Sequence, residues 1–190
     1  MTRHLIILMG NHRVIRPIAE KTVKNFHNIF YYKSLEDNLR ARFEQVSPTA
    51  NEHLDKLLMQ EEFTRDEIIL SNLSQDDTCI LVEQWHFGNL ARVRLRSPEI
   101  TRIYEAKLAQ QLSNFEGIDK QVFYISMFDD DILLPTTSDA ELSSLHDELH
   151  QLIAIFRQQK IQLETIDGSA LPEYLEKRFL YLLKPKLSTT

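Results

Sequence analysis

The sequence predicts a three-layer α/β/α fold around a five-stranded parallel sheet. Two observations carry this. Four short runs, 4–9, 28–33, 78–83 and 121–127, are mostly apolar, as strands covered on both faces are, and 161–166 is read as a fifth strand. Helical segments stand between them, and strands alternating with helices imply parallel pairing with helices on each side. The bulk composition agrees. The 190 residues are 43% hydrophobic and 26% charged, which suits one globular domain spanning 1–190 and not a disordered or low-complexity chain.

The elements follow in order. His4–Met9 (HLIILM) is a buried strand that ends at Gly10-Asn11. A loop over 10–16 leads to Pro17, which suits a first helical turn, so a helix is expected over 18–26. The aromatic run 28–33 is the second strand. Ser34 and Asp37 have the spacing of a capping box, and a helix is expected over 35–45. Residues 50–73 carry apolar side chains at mainly helical spacing, with an interruption expected near Glu62. The third strand, 78–83, is followed by helices over 85–93 and from Pro98 to about 115. Residues 121–127 form the fourth strand. The acidic connector after it precedes an amphipathic helix over 139–159. The fifth strand, 161–166, turns at Asp167-Gly168-Ser169 into a last helix over 171–183, stopped by Pro185.

Several function classes are excluded or disfavoured. Cys79 is the one cysteine, so no internal disulfide or CxxC metal pair can form, which fits a cytoplasmic setting; inside a core strand its thiol is expected to be inert. The apolar start is too short for a leader core, and no run approaches the about 20 residues of a membrane span. The net charge of −6 argues against nucleic-acid binding, although Arg92, Arg94, Arg96 and Arg102 form a basic stretch suited to a solvated face or one anionic ligand. Four glycines stand where average usage would give roughly 13, which argues against glycine-rich repeats.

In parallel sheets ligands sit beyond the carboxyl ends of the strands. The loop after the first strand is therefore the first place to look for a phosphate site. In the frame G-x-x-x-x-G-K-[ST], Gly10 supplies the first glycine, followed by Asn11, His12, Arg13 and Val14. Ile15 replaces the second glycine, Arg16 the lysine and Pro17 the hydroxyl residue. Isoleucine resists the close backbone approach a phosphate cradle needs, and proline offers neither an N–H nor a Mg²⁺ ligand. The helix N-terminus still favours an anion.

The segment Cys79-Ile80-Leu81-Val82-Glu83-Gln84-Trp85, with Asn89-Leu90-Ala91 after it, resembles the strand-three region of thymidylate and deoxynucleoside kinases. The fifth strand, Asp167 and the last helix resemble the end of thymidylate kinases, and the order of elements is similar over nearly the whole chain. The resemblance implies a P-loop NTPase-like fold with kinase-like strand order, a nucleotide or other phosphorylated small molecule as ligand, and Mg²⁺ and ATP as cofactors. It implies that Glu83 matches the carboxylate that helps hold Mg²⁺ or substrate, and that Glu36 or Asp37 stands where a general base lies. Arg65 falls near a substrate-binding arginine, with Trp85 and Arg92 also assigned to the substrate side. Gln84 stands where the families carry arginine. The lid region, 128–141, has no Lys or Arg and carries Asp129, Asp130, Asp131, Asp139 and Glu141 where the families carry arginines. Losing such an arginine can cost about 10³–10⁵ in rate.

The expected function is thus binding of a nucleotide or phosphorylated small molecule through Gly10, Asn11, His12, Arg13 and Arg16, with phosphotransfer weak or lost, a pseudoenzyme. The alternative is a non-enzymatic interaction module on the same fold, with a protein partner or a homodimer. A third reading is a sulfotransferase-like site, since Gly10-x-x-Arg13 resembles the start of that family's loop but lacks its Ser-Gly-Thr. Bland readings stand beside these. Glu36 and Asp37 are explained as cap residues, and Glu83 as a cap for the next helix. Trp85 is explained as core or pocket wall, His12 and His86 as loop histidines without a third metal ligand, and His146 and His150 as a solvated face.

Overall fold

Residue alternation places the core. In the computed structural model β1 (His4–Met9), β2 (Ile29–Tyr32), β3 (Cys79–Glu83), β4 (Asp119–Ser126) and β5 (Gln162–Asp167) form one parallel sheet in the order β2-β3-β1-β4-β5. The structure describes residues 3–10, 12–26, 29–33, 50–73, 79–126 and 161–187. The helices expected over 35–45 and 139–159, His146, His150 and the 128–141 region lie outside these residues.

The helices are α1 (His12–Asn25), α2 (Ala50–Leu73), α3 (Trp85–Arg96), α4 (Pro98–Asn114) and α5 (Pro172–Leu187). Leu5, Ile7 and Met9 pack with Ile80, Val82, Val122 and Tyr124 against α2, α3 and α4. Ile6, Leu8, Leu81, Phe123 and Ile125 pack on the other face against α1 and α5. This gives the three-layer α/β/α architecture expected from the alternation of elements. β1 and β3 are buried along their whole length, which is why they read as continuous apolar runs. Cys79 is among them, and burial pushes its thiol up to about 12.

Three differences from the sequence expectation have a clear physical reason. First, α1 begins at His12, so the loop expected over 10–16 is helical from His12 onward and Pro17 lies inside the helix. Ile15, Ile18, Ala19 and Thr22 have i, i+3, i+4, i+7 spacing and are all buried, and that apolar face outweighs the proline. Pro17 still removes one i→i−4 bond. Pro17→Ala is expected to raise stability by about 1–3 kcal/mol, read as a higher urea midpoint at unchanged m-value. A lower midpoint would show that the ring is needed for packing.

Second, α2 is continuous through Glu62. That residue is buried and bonded to Arg65, one turn on, so the charge on the apolar stripe is a paired group and not a break. Third, Pro185 does not stop α5, which runs on to Leu187. So close to the helix end, the proline costs one hydrogen bond in the final turn. Between α3 and α4, Ser97 ends one helix and caps the next, its Oγ accepting from the Ile100 N–H at 3.4 Å with Pro98 beside it.

Candidate functional site at the carboxyl edge of the sheet

β1 and β4 are neighbours whose chain continues to opposite sides of the sheet, to β2 and to β5. Such a switch point opens a crevice at the carboxyl ends of the strands. Gly10 ends β1 there with φ +140°, and a Cβ on it would stand 2.7 Å from the Ile125 carbonyl oxygen. Glycine is therefore required by the close approach of β4. α1 begins two residues later, with no acid in its first turn and with Arg13 exposed at its second position. Backbone N–H groups at a helix start and a nearby cation favour an anion.

Glu83 ends β3 on the face that carries α1. It is fully buried, yet both its oxygens accept hydrogen bonds. Arg16 of α1 donates through Nη2 to Oε2 at 3.0 Å and through Nε to Oε1 at 3.4 Å. The Tyr31 hydroxyl of β2 donates to Oε1. Burial first, and the Glu83 bond second, push the Tyr31 hydroxyl far above its ordinary value, so it stays protonated as a donor. Arg16 keeps 29% of its side chain exposed, while Glu83 keeps none. The cluster is thus a buried carboxylate clamped by a guanidinium that still reaches solvent.

The turn after Glu83 is left-handed. Gln84 has φ 59° and Trp85 φ 37°, values unusual for residues with a Cβ. The Gln84 N–H donates to the Leu8 carbonyl at 3.0 Å, and its side-chain amide donates to the Gly10 carbonyl. Gln84 thereby ties the β3 end to the β1 end.

On the opposite face, α2 supplies a polar group inside the core. Asp66 accepts from Trp85 Nε1 at 2.7 Å and faces His86 Nε2 at 2.7 Å, and His86 Nδ1 lies 3.0 Å from the Tyr104 hydroxyl. Trp85, His86, Asp66 and Tyr104 are all fully buried. Arg65 donates to the Lys33 carbonyl at 3.1 Å and to Glu62. Burial pushes the Glu62 carboxyl upward, opposed by the Arg65 charge, and burial likewise drives the Tyr104 hydroxyl well above its ordinary value.

The residues singled out from sequence are distributed as follows. Gly10, Arg13, Arg16 and Glu83 come together at the ends of β1 and β3. His12 is the first residue of α1, not a loop residue, and His86 is the second residue of α3, sealed in the core. Arg65 reaches the end of β2 and is itself buried. Trp85 is wholly inside the core, its one polar atom spent on Asp66. Arg92 lies on α3, and on the same helix Arg94 bonds Glu105 at 3.2 Å. Asn11, Glu36 and Asp37 lie outside the described residues. Tyr31, Asp66 and Tyr104 were not singled out by sequence. Asp66 carried a signal, since it falls on the apolar stripe of α2 with Leu58, Glu62, Ile69 and Leu73.

No protein-family model matches the chain, and no curated protein matches it in sequence. Solved structures match in fold. A thymidylate kinase from Candida albicans superposes with a TM-score of 0.65 at 8% identity, covering 97% of this chain and 92% of that one. NadR protein, solved with NAD and AMP-PNP, gives 0.63 at 8% identity, and solved with NR gives 0.63 at 9%. In both NadR comparisons 94% of this chain is covered, and it spans 49% of the NadR chain. The chain therefore has a P-loop kinase-like fold. Among the described residues no helix is long and apolar enough to cross a membrane.

Proposed function

We propose that the protein binds a nucleotide or another phosphorylated small molecule at the carboxyl edge of the sheet, with phosphotransfer weak or lost. The Arg16–Glu83 pair carries this reading. Arg16 holds the place of the lysine in the phosphate-loop frame, and a buried carboxylate already engages it. Phosphoryl transfer is catalysed mainly by positioning and by neutralising charge on the transferring group. A guanidinium spent on Glu83 neutralises less of that charge, whereas the α1 N-terminus, with the exposed Arg13 in its first turn, favours a ground-state phosphate.

Mg²⁺ fits the described residues poorly. Both Glu83 oxygens are engaged, and no group of three or more His, Cys, Asp or Glu stands close enough to hold a metal among those residues. No step of this function runs through the ion.

Calorimetric titration with ATP and with pyrophosphate, each with and without Mg²⁺, tests the reading. The expected Kd is about 10–100 μM, or roughly 5.5–7 kcal/mol, little altered by removing Mg²⁺ and weakened about tenfold by Arg13→Gln. Turnover at the about 1–100 s⁻¹ typical of kinases would overturn the claim of weak transfer. Silence at millimolar ligand would overturn phosphate binding and favour the second reading, an interaction module. For that reading Leu171, Tyr174 and Tyr181, exposed at and along α5, supply apolar side chains, and concentration-dependent sedimentation is its readout.

A further inference from the structure

Asp66 touches neither Arg16 nor Glu83, and it lies across the sheet from both. Its two oxygens nevertheless hold two consecutive residues, Trp85 and His86, at 2.7 Å each. Those residues open α3 directly after the left-handed Gln84, and Trp85 is itself left-handed. The turn has to send Glu83 toward α1 on one face and Trp85 toward α2 on the other. Two side chains with positive φ do not adopt that path unaided; surrounding contacts must fix it. On the β1 side the fixing comes from Gln84, bonded to Leu8 and Gly10. On the α2 side it comes from Asp66.

Each polar atom of the pair has a partner: Trp85 Nε1–H donates to one Asp66 oxygen, His86 Nε2 pairs with the other, and His86 Nδ1 pairs with the Tyr104 hydroxyl. The rings close around it, with Phe63 4.8 Å and Trp85 4.9 Å from the His86 ring by centroid. A buried polar group of this kind contributes little net stability compared with apolar packing, but it specifies one geometry.

We propose that Asp66 is a positioning residue for the anion site: by holding Trp85 and His86 it fixes the turn that aims Glu83, and through Glu83 the Arg16 guanidinium. This deepens the phosphate-binding reading and rests on it for its functional half. Tyr104 supports Asp66 through His86, and Arg65, the residue before Asp66, ties the same stretch of α2 to the end of β2.

The test compares Asp66→Asn and His86→Gln in the full chain, well below each variant's unfolding midpoint. Hydrogen exchange is read by segment, Trp85 fluorescence reports the turn as the chain's one tryptophan, and calorimetry gives ATP and pyrophosphate affinity. For D66N the expected result is exchange about tenfold faster over 83–86 and 8–16 with α4 and α5 unchanged, a red-shifted Trp85 emission, and a Kd raised about tenfold. H86Q keeps an N–H for Asp66 and is expected to stay within about threefold of the parent on every readout.

Uniformly faster exchange, or a loosened turn with unchanged Kd, would overturn the proposal. If the parent chain binds neither ligand, the phosphate reading falls, and the exchange pattern by itself decides whether Asp66 holds the turn. Should D66N not fold, Trp85→Phe removes one of the two bonds and carries the same exchange test.

Discussion

Arg16→Ala is expected to lower the unfolding free energy by about 3 kcal/mol, measured by urea denaturation. The substitution leaves Glu83 buried without its guanidinium partner, while the Tyr31 hydroxyl still donates to it. Removing one partner of a buried pair is costly because the other charge stays behind, and the expected value sits at the low end of the usual range because Arg16 retains contact with water. Arg16→Lys should recover less than half, since an ammonium cannot reproduce the two-point contact with Oε1 and Oε2. Replacing both residues, Arg16→Met with Glu83→Leu, should cost less than R16A alone. A change below about 1 kcal/mol for R16A would mean that the pair is not formed in solution.

Gly10→Ala is expected to cost about 3 kcal/mol, which for a chain of this size lowers the melting temperature by roughly 6–12 °C. The new methyl would meet the Ile125 carbonyl oxygen at 2.7 Å, and φ +140° is itself unfavourable for alanine. A backbone oxygen in the ladder between β4 and β5 cannot swing aside as a side chain would. The same variant probes the site, because the Gly10 carbonyl accepts from Gln84. A melting temperature within about 2 °C of the parent would show that β1 and β4 are further apart at this point than the structure places them.

The sheet was legible because its inner strands are apolar on both faces. β1, β3 and β4 announce themselves as runs, and their parallel pairing follows from the helices between them. That residues before Pro17 belong to α1 was legible in the spacing of Ile15, Ile18, Ala19 and Thr22, although Pro17 by itself marks a first helical turn. Arg16 and Glu83 could each be named from the loop and strand-end positions. Their mutual bond could not be read, because 67 residues separate them and only the β1–β3 register brings them together.

The Asp66 group was least legible. A charge on an apolar stripe reads as a break or an error until its partner is known. Here the partners come from α3 and α4, and no local periodicity links Asp66 with His86 and Tyr104. Glu62 shows the same ambiguity, expected as an interruption and found paired in an unbroken helix.

The place of β1 in the sheet has a consequence for synthesis. β1 is synthesised before the other four strands of the sheet, yet it becomes the central strand, flanked by β3 and β4. His4 waits for Asp119, 115 residues later, before its second neighbour exists. At about 5–20 residues per second that delay is roughly 6–23 s, during which Leu5–Met9 presents an unpaired apolar edge. Nascent chains stalled before residue 119 should therefore engage chaperones or aggregate, and release should come as β4 emerges. The early exposure of its most apolar strand makes this protein's yield in a cell a matter of translation rate as well as of final stability.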